Sequence, residues 1–195
     1  GQVVKVKEIR SICDKHHLIF IEDAAHSIGT KYNGEMVGSL ADMTCMSFHP
    51  VKTVTSGEGG AILTNSDALY RKLVLAHTHG ITHDEALMKN APHEGPWCYE
   101  EIALGYNYRI TDFQPALFMS QLSKINRFIS RRKEIVQRYN EAFEEMQEII
   151  VQKEIPESDT SRHLYIIRLA LDKLSCTRRE FFDAMAAENV QCQIH

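Results

Sequence analysis

The chain has 195 residues and a net charge of −4, with 44% hydrophobic and 25% charged residues. This describes a globular chain long enough to bury a core, as one large domain or a domain plus part of another, with no basic excess to attract nucleic acid or an anionic membrane. No apolar run approaches the roughly 18 to 20 residues of a membrane span, and the widely spaced cysteines, Cys13, Cys45, Cys98, Cys176 and Cys192, read as reduced thiols of a cytoplasmic protein.

A helix is predicted over residues 3–16, with Val6, Ile9, Ile12 and Cys13 on its apolar stripe. Leu18-Ile19-Phe20-Ile21 is a short continuous apolar run, as in a strand covered on both faces, and it ends in Glu22-Asp23. Two more strands are predicted over 43–48 and 60–64. Asn65-Ser66-Asp67 then offers an N-cap for a helix over 69–76. This alternation predicts an α/β layered domain, whose ligands gather at the carboxyl ends of the strands.

Residues 82–106 lose all periodicity and read as a long functional loop. Thr111 to Gln114 reads as a capping box. It opens one long helix over 112–146, with Leu117, Leu122, Ile125, Phe128, Ile129, Ile135, Tyr139 and Phe143 on its buried side. Pro115 falls in the first turn, where proline costs least. The polar cluster 156–161 is read as a domain boundary. After it come a strand over 163–171 and a helix to 189 capped by Thr177, the beginning of a smaller α+β domain. The organisation is therefore 1–155 and 156–195. A first residue Gly1 and a strand only starting at Gln193 suggest an internal piece of a longer chain.

The chemistry concentrates at the two predicted strand ends. Ser47-Phe48-His49-Pro50-Val51-Lys52 closes one strand and leads into Gly57-Glu58-Gly59-Gly60; Glu22-Asp23-Ala24-Ala25-His26 closes the other. A lysine amine in the right surroundings forms Schiff bases with carbonyls. A carboxylate can hold a pyridinium proton, and the pair suggests a pyridoxal phosphate (PLP) site. Taken singly, each residue has a plainer alternative: a solvated lysine, a turn aspartate, glycines for a tight connection. The histidines, His77, His79 and His83 among them, match no zinc spacing, so no metal is predicted.

The blocks IEDAAHSIGTKYNGEMVGSLADMTCMSFHPVKTVTSGEGGAILTN, HGI and LGYNYRITDFQPAL resemble the DegT/DnrJ/StrS family of PLP-dependent sugar aminotransferases, in order and along the whole chain. The resemblance implies PLP-dependent transferase fold type I, like aspartate aminotransferase, with part of the large domain and the start of the small one. It implies Lys52 as the cofactor's covalent anchor and proton carrier, and Asp23 at the pyridine nitrogen. Ala25 would lie under the ring, His26 near the ring hydroxyl and Ser47 at the phosphate. Glu22 would face away. Asn107 and Arg109 would reach the neighbouring subunit's cofactor phosphate, in a homodimer with shared sites. For His26 a structural histidine remains the alternative, and for Asn107 and Arg109 packing against the long helix.

Blocks such as EGPWCYEE and SQLSKINRFISRR look most like the pseudaminic acid branch, which implies a UDP-linked 4-keto sugar as substrate and glutamate as amino donor. Relatives with histidine in place of Lys52 dehydrate the sugar instead, so the lysine favours amino transfer. A non-catalytic binding domain on the same scaffold is the remaining alternative.

Overall fold

The computed structural model describes residues 1–90 and 94–194. In chain order the first half contains α1 (Val6–Lys15), β1 (Ile21–Asp23), β2 (Lys31–Tyr32), β3 (Glu35–Met36), β4 (Met43–Ser47), β5 (Gly60–Leu63) and α2 (Asp67–His77). β1 and β4 pair in parallel, Asp23 opposite Cys45, and β5 pairs antiparallel with β4, giving the order β1-β4-β5. Val3, Val6 and Cys13 pack with Phe20, Ala24, Tyr32 and Val37 into the core beside this sheet. Arg10 ties α1 to it: its guanidinium lies 5.2 Å over the Phe20 ring and donates to Asp42 Oδ2 at 3.1 Å. The Phe20 N–H and Arg10 together hold the Asp42 carboxyl below its usual range.

Three expectations change here. α1 starts at Val6 rather than residue 3, because Val3 is buried in an extended lead-in, and Ile12 is exposed, so the buried stripe is narrower. The strand expected at Leu18 to Ile21 forms only from Ile21, where it meets Met43; the Leu18 N–H is taken by the end of α1 at Cys13 O. Nor is it covered on both faces, since Leu18, Ile19 and Ile21 are exposed and only Phe20 is buried. The third is an addition. Asn33 (φ 49°) and Gly34 (φ 85°) make a two-residue turn joining β2 to β3, left-handed at both positions as such hairpins require.

The second half contains β6 (Ile81–Thr82), β7 (Glu100–Glu101), α3 (Phe113–Leu122), α4 (Ile125–Phe143), β8 (Ile149–Val151), β9 (Ser158–Asp159), β10 (Ile167–Leu169) and α5 (Arg178–Ala187). The predicted loop 82–106 is held at its ends, with β6 pairing β7; its Pro92 lies outside the described residues. The predicted single helix is two. At the break Ser123 Oγ donates to Ser120 O (3.0 Å) and the Lys124 N–H turns back to Gln121 O (3.0 Å), so side chain and tight-turn bonds replace the α ladder. Pro115, third residue of α3, sits where its missing N–H is harmless. The Thr111 box is half formed. Gln114 Oε1 accepts both the Thr111 N–H and its hydroxyl, while the Gln114 N–H donates to the Thr111 carbonyl (3.0 Å) and not to its hydroxyl. Leu117, Leu122 and Tyr139 are exposed, and the one buried residue of α4 is Val136.

Residues 156–161 are not a free linker. β9 pairs with β2, Lys31 opposite Asp159, and β8 pairs with β10 across the same stretch. The strand expected over 163–171 shrinks to β10, and Gln193 and Ile194 form no strand. The Thr177 cap forms as expected, its hydroxyl accepting the Glu180 N–H while the Glu180 carboxylate accepts the Thr177 N–H.

Candidate active site

Because β1 and β4 are parallel neighbours, their carboxyl ends lie on one edge of the sheet. Asp23 ends β1, Ser47 ends β4, and the Lys52 loop leaves from there. The loop is closed tightly. Phe48 N–H donates to Gly59 O (2.8 Å), Ser56 N–H to Phe48 O (3.0 Å) and Lys52 N–H to His49 O (3.0 Å). Thr53, Val54 and Ser56 are buried, so the loop is anchored just beyond a half-buried Lys52. α3 holds it from outside, Phe118 stacking 4.0 Å from Phe48 and Gln114 Nε2 donating to Glu58 O at 2.9 Å.

Asp23 is exposed rather than buried, and its Oδ1 accepts the Ala25 N–H (3.1 Å), a turn bond that fixes the carboxylate at the strand end. Glu22 differs. Half-burial pushes its carboxyl up, while Thr44 Oγ1 donates to it at 3.4 Å, in keeping with a structural residue. Ala25 is half-buried beside Ala24, which is 2% exposed and whose N–H donates to Cys45 O. Ser47 Oγ accepts the His49 N–H (3.4 Å).

His26 meets a residue that sequence reasoning missed. Its ring lies 4.5 Å from that of His163, tilted by 58°. His163 is 8% exposed, and its Nδ1 is buried without a hydrogen-bond partner. Burial lowers its pKa to about 4, reinforced by the charges of His26, Lys52, the Gly1 amine and Arg132. Lys52 is thus electrostatically in the same corner as both histidines. Arg132, also missed, clamps the segment by donating to Arg162 O (3.1 Å) and His163 O (3.0 Å). One signal was available in the sequence: a histidine in an otherwise apolar run, His163-Leu164-Tyr165-Ile166.

Asn107 and Arg109 are not brought to this edge. Asn107 bridges to Thr78 beyond α2, and Arg109 Nε donates to Asn107 Oδ1 at 3.1 Å. Arg109 lines a separate cleft of about 780 Å³ with Tyr70, Arg71, His79, His83 and Tyr99. A second cleft, about 580 Å³, lies between α4 and β8. Neither is lined by Asp23, Ser47 or Lys52. Among the described residues no group of histidine, cysteine or carboxylate side chains is arranged to hold a metal, and no helix is long and apolar enough to cross a membrane.

A carboxylate, a hydroxyl and a loop lysine at adjacent parallel strand ends are the donor set that a PLP cofactor uses, and the architecture is the mixed α/β fold of PLP-dependent transferases of type I. The chain belongs to the DegT/DnrJ/EryC1/StrS aminotransferase family, whose sequence profile matches residues 1–195. It is 35% identical over 195 residues to the UDP-4-amino-4,6-dideoxy-N-acetyl-beta-L-altrosamine transaminase of Campylobacter jejuni subsp. jejuni serotype O:23/36, covering 100% of this chain and 49% of that protein. To the spore coat polysaccharide biosynthesis protein SpsC of Bacillus subtilis it is 32% identical, covering 100% and 50%. Among solved structures it superposes on Helicobacter pylori PseC, an aminotransferase involved in pseudoaminic acid biosynthesis, with TM-score 0.86 at 28% identity over 99% of this chain and 49% of that one. It also superposes on the PLP form of the sugar aminotransferase Spr1654 from Streptococcus pneumoniae, with TM-score 0.83 at 25% identity, over 99% and 51%. The chain spans about half the length of the curated relatives it matches.

Proposed function

We propose that the intact protein is a PLP-dependent aminotransferase that moves an amino group from glutamate to C4 of a UDP-linked 4-keto-6-deoxy sugar. The observation that carries the reading is the parallel β1–β4 pairing, which delivers Asp23, Ser47 and the Lys52 loop to one edge. Similarity to the altrosamine transaminases supports the sugar class.

When bound, PLP supplies the electron sink for proton removal at the carbon carrying nitrogen. Lys52 Nζ would hold the cofactor by its aldehyde and, once free, would carry a proton to and from the reacting carbon. The Asp23 carboxylate holds the proton on the pyridine nitrogen, where a negative charge favours the cation. The Ala25 methyl would lie under the ring, the Ser47 hydroxyl would donate to the phosphate, and His26 would lie near the ring hydroxyl. Asn107 and Arg109, remote from this edge, serve the site of the neighbouring subunit in a homodimer. Residues 1–155 are the later part of the cofactor domain and 156–195 the start of the small one, with the β2–β9 and β8–β10 ladders joining them. Five free thiols support a reducing, cytoplasmic location.

Borohydride reduction of the PLP-loaded intact protein, followed by peptide mapping, should place the pyridoxyl group on Lys52; label on another lysine rejects the assignment. Candidate keto sugars assayed with glutamate test the reaction. Activity confined to amino acid and keto acid pairs would reject the sugar substrate.

A further inference from the structure

His163 comes from the segment after β9, far along the chain from the Asp23–His26 turn, yet it is fixed against that turn from three sides. The fully buried hydroxyls of Thr30 and Ser161 lie 3.0 Å apart, and the Ser161 N–H donates to Thr30 Oγ1 at 2.9 Å. Arg132 holds the carbonyls of Arg162 and His163 from α4. Arg162 itself pairs with Glu154 and adopts a left-handed backbone (φ 57°), which a non-glycine residue keeps only where its surroundings enforce it. All this holds one imidazole, 8% exposed, against the His26 ring at 4.5 Å, the two planes tilted by 58°.

Ordinary core packing does not account for an imidazole here. Its buried Nδ1 has no partner, and a hydrocarbon side chain would fill the space without that cost. The partnerless Nδ1 also fixes the tautomer, since a neutral imidazole keeps its proton on the nitrogen where it is not stranded. Buried, and beside His26, Lys52, the Gly1 amine and Arg132, the ring favours its neutral form. It presents an uncharged aromatic ring to His26 and adds no positive charge beside Lys52.

We propose that His163 is a positioning residue of the Lys52 site: its buried ring sets the orientation of the His26 imidazole, so the C-terminal segment helps build the site. This rests on the reading of the Asp23–Lys52 edge as the cofactor site. The test compares the intact protein with His163→Leu, which fills the space without a ring, and His163→Phe, which keeps an uncharged ring. Two readouts are taken besides activity. In cofactor-free protein, the NMR signal of the His26 Cε1–H is titrated, under the influence of Lys52, Arg132 and the Gly1 amine; in PLP-loaded protein, visible circular dichroism is recorded.

In His163→Leu the His26 signal should move toward that of a freely rotating imidazole, the visible dichroism should fall at least about twofold, and kcat should drop more than KM changes. In His163→Phe all three should stay near wild type. A Leu variant equal to wild type overturns the proposal, and so does a Phe variant as impaired as Leu while its thermal midpoint is unchanged. If His163→Leu does not fold, the Phe variant alone decides in the same sense. Borohydride labelling of Lys52 in each variant separates this outcome from failure of the cofactor assignment: an unlabelled wild type rejects the cofactor site, whereas normal labelling with an unmoved His26 signal rejects only the role of His163.

Discussion

At Asp23 the charge and the shape of one side chain can be separated. Asp23→Asn keeps the oxygen that accepts the Ala25 N–H and loses the negative charge proposed to hold the pyridine nitrogen's proton. Amino transfer should fall on the order of 10²–10³-fold, the scale of losing one preorganised electrostatic partner, with an unchanged melting curve; near-normal turnover would remove Asp23 from that role. His163 gives a pH signature instead. Its pKa is about 4 in the fold against an ordinary 6.5. The unfolded chain therefore takes up a proton as pH falls through 6.5, while the folded chain does so only near 4. Stability from this group is complete above 6.5, falls as pH drops toward 4 and levels off below. At about 1.4 kcal/mol per pH unit, the full loss between 6.5 and about 4 is about 3.5 kcal/mol. Urea midpoints of wild type and His163→Phe should diverge between about pH 7 and about pH 4.5, the variant losing less. Parallel curves would mean that His163 titrates in the fold as it does in the unfolded chain.

Two elements carry separable stability. Thr30→Val keeps the shape of a fully buried side chain but strands the Ser161 N–H and hydroxyl. It should cost about 1 to 3 kcal/mol and loosen the 160–163 segment, seen as faster amide exchange there. Thr177→Ala removes the hydroxyl that caps α5. It should cost about 1 kcal/mol and raise exchange in α5 alone, leaving borohydride labelling of Lys52 intact; loss of labelling would show that α5 supports the site. Caps and strands of this kind were legible because each is set by neighbours in sequence: Ser66 accepting the Leu69 N–H at α2, Thr177 with Glu180 at α5, and the β4 and β5 runs. The Asn33-Gly34 hairpin was equally legible from its turn dipeptide and was overlooked. The break at Ser123 and Lys124 left no such mark, since the apolar spacing continues across it.

Over the whole molecule, the separation of Asn107 and Arg109 from the Lys52 edge makes subunit sharing testable. Two inactive forms of the intact protein are mixed, Lys52→Ala and Asn107→Ala with Arg109→Ala. A mixed dimer would place both lesions in one site and leave the other whole, as two-fold symmetry allows. Activity should recover to about half per mixed dimer. No recovery despite proven mixed dimers would return both residues to their own subunit's site.

The sequence by itself determined the candidate groups, Asp23 and Lys52, and the strands beside them. Asp23 closes one short apolar run and Lys52 lies on the loop after another, and such local order is written in neighbouring residues. Tertiary structure alone decided that β1 and β4 are parallel neighbours, that Ser158 and Asp159 pair with β2, and that His163 rests on His26. Those are pairings between residues far apart in the chain. They arise where buried hydroxyls such as Thr30 and Ser161 must find partners away from water, and no periodicity in the sequence encodes which partner is found.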